Sequence, residues 1–273
     1  MRRYKGAQKQ NHLSFKPTLL PEKIRLNRLI AQCSELSRRA ADAAISAGQV
    51  SVNGEKVTSL GMTVNPYESD VRVDGKKLEL PKSHLYLAFN KPRSALVTKS
   101  DPLERRTIWS YLGELGAKLN SAGRLDYDTE GLIILSSDGN FLQKLTHPRY
   151  EIWKTYQVQV KGVPSDVSLE TLRKGVHLDD GVTRPARVKL NRSGETSTWI
   201  EISIHEGKNH QVKRMCEAIG HPVVKLRRIA IGPLELKSLK PGKYRPLKPQ
   251  EIQAFEKIFV SSGKALPMPR HVS

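Results

Sequence analysis

The sequence predicts an α+β protein in two units. A small α/β module spans residues 23–80, and a larger mixed, mainly antiparallel β domain with flanking helices spans residues 84–258. Three observations predict this. After Ile24, apolar residues recur at helical spacing and then give way to two short strand pairs with Asn-Gly and Asp-Gly turns. From Leu85 on, short apolar or alternating runs bounded by turn residues dominate. Between the two lies Pro81-Lys82-Ser83-His84, a polar linker composition.

In the module, Leu26, Leu29, Ile30 and Cys33 share one helical face. Ser37 is a good N-cap for a second helix, whose Ala40, Ala41, Ala44 and Ile45 face inward until Gly48 stops it. Val50 and Val52, the turn pair Asn53-Gly54, and Val57 predict a hairpin. Val71 and Val73 with Asp74-Gly75 predict a second. Arg25, Arg28, Arg38 and Arg39 are expected on the exposed face. There they either bind phosphate beside a helix N-terminus or form an ordinary solvated helix face. Residues 1–22 carry Arg2, Arg3, Lys5, Lys9 and Lys16 with no acid before Glu22, and are expected to be a flexible basic arm.

The larger domain opens with the strand Leu85 to Asn90, ending in Lys91-Pro92, where proline forces Lys91 out of helical geometry. The central stretch is Ser121-Ala122-Gly123-Arg124-Leu125-Asp126-Tyr127-Asp128-Thr129-Glu130-Gly131-Leu132-Ile133-Ile134-Leu135. It packs three carboxylates into five residues ahead of a short buried strand, Leu132 to Leu135, and stops at Asp138-Gly139. Such a loop is either a site or solvated decoration. Asp126, between Leu125 and Tyr127, is expected to be partly desolvated, with Arg124 offering a compensating charge. Phe141, Leu142 and Leu145 mark a short helix before Pro148, and Tyr156 to Val160 alternates as a strand. Asn209 is a candidate cap for a helix burying Val212, Met215, Cys216 and Ile219, within the most basic part of the chain. Residues 259–273, rich in Gly, Pro and basic residues from Ser261, are expected to be a flexible tail.

Lys and Arg number 46 against 27 Asp and Glu, a formal net charge of +19, which selects polyanionic partners, nucleic acid before anionic membrane. No run of about 18 apolar residues occurs, so no membrane span is expected. Arg2, Arg3, Lys5 and Lys9 precede no apolar core of a signal peptide, so a cytoplasmic protein is expected. Cys33 and Cys216 are expected to be buried hydrophobes, and no His/Cys cluster has metal-ligand spacing.

Gly-Arg-Leu-Asp-x-x-Thr-x-Gly-Leu, followed by an apolar run and Asp-Gly, closely resembles the active-site motif of bacterial ribosomal RNA pseudouridine synthases. The group includes A-type enzymes, acting on small-subunit RNA, and B-type enzymes, acting on large-subunit RNA. Residues 24–80, with Arg-Leu-Asn-x-x-Ile-Ala, Ser-Arg-Arg-x-Ala and Gly-x-Val-x-Val-Asn-Gly, resemble the small RNA-binding module named after ribosomal protein S-four. Lys154-Thr155-Tyr156 is similar to the family's Lys-x-Tyr motif. Glu206 to Met215 and Leu226 to Leu234 are similar to its later motifs. Two departures stand out: Ser94 occupies the usual glycine of Asn-Lys-Pro-x-Gly, and Lys213 stands where many members carry arginine.

The resemblance implies an enzyme that breaks the uridine N-glycosidic bond, rotates the base and rejoins it through C5. It uses no cofactor and no metal. Asp126 would be the acting carboxylate, either attacking the sugar or serving as base. Lys213 would pair with it, and Tyr156 and Leu226 would sandwich the uracil. Arg124 would fill the gap left by the flipped nucleotide or contact its phosphate. Lys208, Arg214, Arg227 and Arg228 would join Arg25, Arg28, Arg38 and Arg39 in binding RNA. The implied partner is ribosomal RNA or a pre-ribosomal particle, met by a monomer. His147-Pro148-Arg149-Tyr150 and Gly175 to Gly181 favour large-subunit RNA, whereas His210 to Met215 favours small-subunit RNA. Three rivals predict different things. A non-catalytic RNA-binding assembly factor makes Asp126 dispensable. A glycoside hydrolase, using two of Asp126, Asp128 and Glu130, does not need the +19 charge. A DNA-binding regulator needs a recognition helix, which the pattern lacks.

Overall fold

Two amphipathic helices and a small sheet form the first unit in the computed structural model, which describes residues 16, 17 and 20–263. The expected arm before Lys16 and the tail after Gly263 lie outside the described residues. Strands β1 (Lys16–Pro17) and β2 (Ile24–Arg25) precede helices α1 (Leu26–Cys33) and α2 (Arg38–Ser46). Leu26, Leu29 and Ile30 bury against Ala41, Ala44 and Ile45, as their spacing requires. The Ser37 hydroxyl accepts the Ala40 N–H and caps α2. Strands β3 (Val50–Val52), β4 (Glu55–Val57), β5 (Thr63–Val64), β6 (Val71–Val73) and β7 (Lys76–Lys77) follow. The first, second, fourth and fifth of these form one sheet, ordered β4-β3-β6-β7, while β5 pairs with β2. Its hairpins turn at Asn53-Gly54 and Asp74-Gly75, all four residues at positive φ, the geometry that matches strand twist.

The boundaries of this unit differ from the sequence expectation. Leu20, assigned to the arm, is buried in the module core, and its N–H donates to the Tyr67 hydroxyl at 2.7 Å. The linker residues Ser83–His84 form β8, paired with β1, and His84 is buried. Arg28 is half-buried and donates to Asn140 Oδ1 of the second unit, so it fastens the module to its neighbour instead of facing solvent.

The second unit is organised by one sheet. It contains β9 (Tyr86–Lys91), β10 (Asn120–Ser121), β11 (Glu130–Ser136), β12 (Lys154–Lys161), β15 (Arg187–Ser193), β16 (Ser197–Ile204), β17 (Val223–Ile231), β18 (Leu234–Glu235) and β19 (Tyr244–Pro246). The hairpin β13 (His177–Leu178) and β14 (Gly181–Val182) stands beside it. The main path runs β15-β16-β12-β17-β11-β9-β19, every neighbour antiparallel except β11 and β17. Helices α3 (Gly139–Thr146) and α6 (Pro249–Gly263) cover the β9/β11 half, and α4 (Asp166–Lys174) and α5 (Gln211–Ala218) pack on the β12/β16 half. The β11 half is buried on both faces, which is why Leu132 to Leu135 reads as an unbroken apolar run. Helix α6 continues past residue 258, and Phe259, expected in a loose tail, packs against Phe141 and Phe255.

The two halves meet where β11 and β17 run parallel for two pairs, Glu130 with Arg227 and Gly131 with Arg228. A Cβ on Gly131 would lie 2.2 Å from the Arg228 carbonyl oxygen, and its φ is +114°. Only glycine permits this approach. The strands diverge beyond that point, and the cleft opens at the seam.

Candidate active site

Asp126 is delivered by the loop that leads into β11. Leu125 is buried in the core of the β12 half, while the Ala122 N–H donates to the Ile134 carbonyl at 2.8 Å, so the loop is fixed at both flanks. Lys91 holds it from beneath. Its fully buried Nζ donates to the carbonyl oxygens of Thr129 (2.7 Å), Pro92 (3.1 Å) and Tyr127 (3.4 Å). Burial pushes the Lys91 ammonium down to about 8, against the opposing pull of Asp128, Asp126 and Glu130. Ser94 donates its N–H to the Tyr127 carbonyl at 2.8 Å from a left-handed backbone (φ +59°), so the serine adopts the shape a glycine would take there.

The Asp126 carboxylate meets two groups from the start of α5. Lys213 Nζ lies 3.4 Å from Oδ2, and His210 Nε2 lies 3.4 Å from Oδ1. The expected Lys213–Asp126 pair is therefore present, but Lys213 makes its shorter contact, 2.6 Å, with Asp128. Burial pushes the Asp128 carboxyl up, yet the Lys213 hydrogen bond and charge outweigh it and hold it below the ordinary value. His210, not Asn209, stands at the N-cap, in a left-handed conformation (φ +48°) with no side-chain capping bond. That turn aims the imidazole at Asp126.

The cleft behind Asp126 holds about 320 Å³. Tyr156 on β12 and Leu226 on β17 both line it and are both buried, so the two residues expected to sandwich a base do share one cavity. Arg124 is exposed at the rim. Arg228 departs from expectation: it is 3% exposed, lines the cleft, and donates Nε–H to the Leu132 carbonyl at 2.7 Å. It is a wall of the cavity and not a surface phosphate contact, because strand parity turns it inward while Arg227 points away. Lys208 and Arg214 are also engaged internally. Arg214 forms a two-pronged bond with Asp180 at 3.0 Å, and Lys208 Nζ donates to the Asp180 and Gly181 carbonyls, together tying the β13–β14 hairpin to α5. Arg25, Arg38 and Arg39 are exposed as expected.

Sequence reasoning passed over Lys91, Lys154 and His210 as parts of the site. Lys154, two residues before Tyr156 on the same face, lines the cleft, and burial together with Arg228 pushes it down to about 8, Glu206 opposing. The lysine that ends the apolar strand Tyr86–Lys91 was the available signal for a buried cation. Cys33 and Cys216 are set apart from the cleft lining, their thiols pushed up by burial to about 11 and about 12.

A carboxylate flanked by a lysine and a histidine, opening on an apolar cleft with one aromatic wall, suits chemistry on a planar base taken out of its stack. Residues 85–218 match the model of the RNA pseudouridylate synthase family, and residues 24–70 match that of the S4 domain. An uncharacterized RNA pseudouridine synthase of Aquifex aeolicus is 40% identical over 237 residues, covering 86% of this chain and 95% of that one. Ribosomal large subunit pseudouridine synthase B of Bacillus subtilis is 41% identical over 84% of this chain and 94% of its own. Ribosomal small subunit pseudouridine synthase A of Escherichia coli K12 is 38% identical over 84% and 98%. A crystal structure of a pseudouridylate synthase superposes with a TM-score of 0.61 at 34% identity, covering 85% of this chain and 99% of that one. These matches define an isomerase with an RNA-binding module in front of its catalytic fold. The chain belongs to the RNA pseudouridine synthase family.

Proposed function

We propose that the protein converts a specific uridine of large-subunit ribosomal RNA to pseudouridine, with Asp126 as the acting carboxylate. The observation that carries this reading is Asp126 itself, held between Lys213 and His210 at the mouth of a cleft walled by Tyr156 and Leu226. In this reading the uridine leaves its stack, its base slides between Tyr156 and Leu226, and Asp126 acts on the sugar or as base while Lys213 balances its charge. Arg124 at the rim fills the gap left by the flipped nucleotide or contacts its phosphate. Arg25, Arg38 and Arg39 bind backbone phosphate, the last two beside the N-terminus of α2. No cofactor is needed, because the uracil leaves and returns within one pocket. A ribosomal substrate also implies a cytoplasmic enzyme, and the proposed acting unit is a monomer.

The choice of large-subunit RNA is supported by the Bacillus relative and by the wording of residues 147–150 and 175–181. The Escherichia relative, nearly as similar, supports small-subunit RNA as the second reading. Mapping pseudouridines in ribosomal RNA from cells with and without the protein separates them: a site lost from the large-subunit RNA is expected, and one lost from the small-subunit RNA would replace it. Complementation with Asp126→Asn should leave that site as uridine while RNA affinity and fold persist. Restoration of the site by the asparagine variant would remove Asp126 from the chemistry.

A further inference from the structure

The cavity holds a donor that the roles above leave unused. Arg228 Nη2 is buried without a hydrogen-bond partner, although the Nε of the same guanidinium is held by the Leu132 carbonyl. The Thr129 hydroxyl, 1% exposed and also on the cleft wall, is a second buried polar atom with no partner. A buried guanidinium arm left unsatisfied is costly, so its presence in a ligand cavity marks a place for an acceptor. The register locates that acceptor. Arg228 is directly opposite Tyr156 across the β12/β17 pair and two residues from Leu226 on the same face. A planar base between Tyr156 and Leu226 would therefore present an edge to Arg228. Lys154, on the same face of β12, adds a second cation whose charge is poorly compensated: its Nζ makes a long bond, 3.4 Å, to the Glu206 carbonyl.

We propose that Arg228, backed by Lys154, binds a carbonyl oxygen of the flipped uracil and stabilises the negative charge the base carries once it is detached. The inference rests on the isomerase reading of the cleft. When the C1′–N1 bond breaks, its electron pair stays on N1 and spreads onto O2 and O4. Either C1′ is taken up by the carboxylate, or C2′ loses a proton to it and a C1′=C2′ double bond forms. Rejoining forms C1′–C5 from the same anion as the carboxylate leaves C1′, or returns its proton to C2′, after which C5 loses its proton and N1 gains one. In either route a uracil anion must be held while it turns. A fixed cationic donor at its oxygen-bearing edge lowers the barrier to departure and keeps the base from escaping. Lys213 is spent on Asp126 and Asp128, which leaves the buried Arg228 and the half-buried Lys154 on the cavity wall for this task.

The test varies the charge and the leaving group together. Ribosomal RNA transcripts made with uridine or with 5-fluorouridine are treated with excess enzyme, and glycosidic bond breaking is followed in a single turnover by mass spectrometry of digested RNA. Fluorine stabilises the departing anion, so a substrate carrying it depends less on help from the protein. Arg228→Gln, whose amide can still reach the Leu132 carbonyl, should slow uridine cleavage about 100-fold and 5-fluorouridine cleavage at least about tenfold less severely. Arg228→Lys should stay within about tenfold of wild type on uridine. A packing defect would slow both RNAs equally. Equal slowing, or a wild-type rate in a folded Arg228→Gln protein, would overturn the proposal. Should Arg228→Gln not fold, Lys154→Met carries the same comparison, with slowing of about tenfold on uridine expected to shrink on the fluorinated RNA; equal slowing again refutes it. Wild-type enzyme inactive on both transcripts would sink the ribosomal substrate reading and this inference with it, a result distinct from an active wild type with an unaffected variant.

Discussion

Lys213 lies closer to Asp128, at 2.6 Å, than to Asp126, at 3.4 Å, so one ammonium is shared by two carboxylates two residues apart. Removing it would leave two like charges facing each other at the cleft mouth. Lys213→Ala is expected to lower the single-turnover rate at saturating RNA about 100-fold, with Lys213→Arg within about tenfold of wild type. Asp128→Asn, which frees the lysine for Asp126, should change the rate by no more than about threefold. A full rate in the alanine variant would mean that Lys213 serves only RNA phosphate. The same bridge has an acid limb. Asp128 is held below its ordinary 3.8, so its contribution to stability is complete above that pH and is lost as pH falls through the lowered value. Urea melts below pH 5 should show a shallower acid loss in Lys213→Ala.

Lys91 gives the opposite pH sign. Its folded value of about 8 lies below the ordinary 10.5, so between these limits the unfolded chain binds a proton the folded one does not. Stability should rise as pH increases from about 8 towards 10.5, with Lys154 adding a parallel share. Lys91→Met should lose about 2–4 kcal/mol by stranding the carbonyls of the Asp126 loop, and should keep only the Lys154 part of the alkaline gain. Urea denaturation of both proteins across this range checks the slope, and an unchanged slope would show that Lys91 is not desolvated in solution.

Gly131 should tolerate no side chain. Gly131→Ala places a methyl 2.2 Å from the Arg228 carbonyl, against backbone that cannot move without parting the two halves of the sheet. A loss of about 3 kcal/mol or more is expected, or insoluble protein. A variant melting within a degree of wild type would mean that the β11/β17 junction is looser than described.

The arginines of the module should divide by environment. Arg38 and Arg39 are exposed at the start of α2, and alanine at either should flatten the log–log salt dependence of RNA binding by about one unit. Arg28, bonded to Asn140, should leave that slope unchanged when replaced, and should instead loosen the module from the catalytic unit, read by limited proteolysis between residues 80 and 85. A slope change at Arg28 equal to that at Arg38 would reverse this division.

The sequence by itself determined what neighbouring residues decide. Ser37 caps α2, Asn53-Gly54 and Asp74-Gly75 turn their hairpins, and the apolar period fixes the burial of Leu132 to Leu135, because each depends on residues within a turn or two of chain. The Asp126 loop was legible for the same reason, as a continuous motif. Only tertiary structure decided which charges stay exposed and which are paired within the protein. Arg227 and Arg228 are equivalent as letters, yet pairing with β11, almost a hundred residues away, and with β12 turns the second into the cleft and leaves the first outside it. Lys208 and Arg214 were claimed by Asp180 through a hairpin whose position no local pattern records. A strand's period says that successive side chains alternate; which of the two faces is the cavity depends on what packs against it from distant parts of the chain.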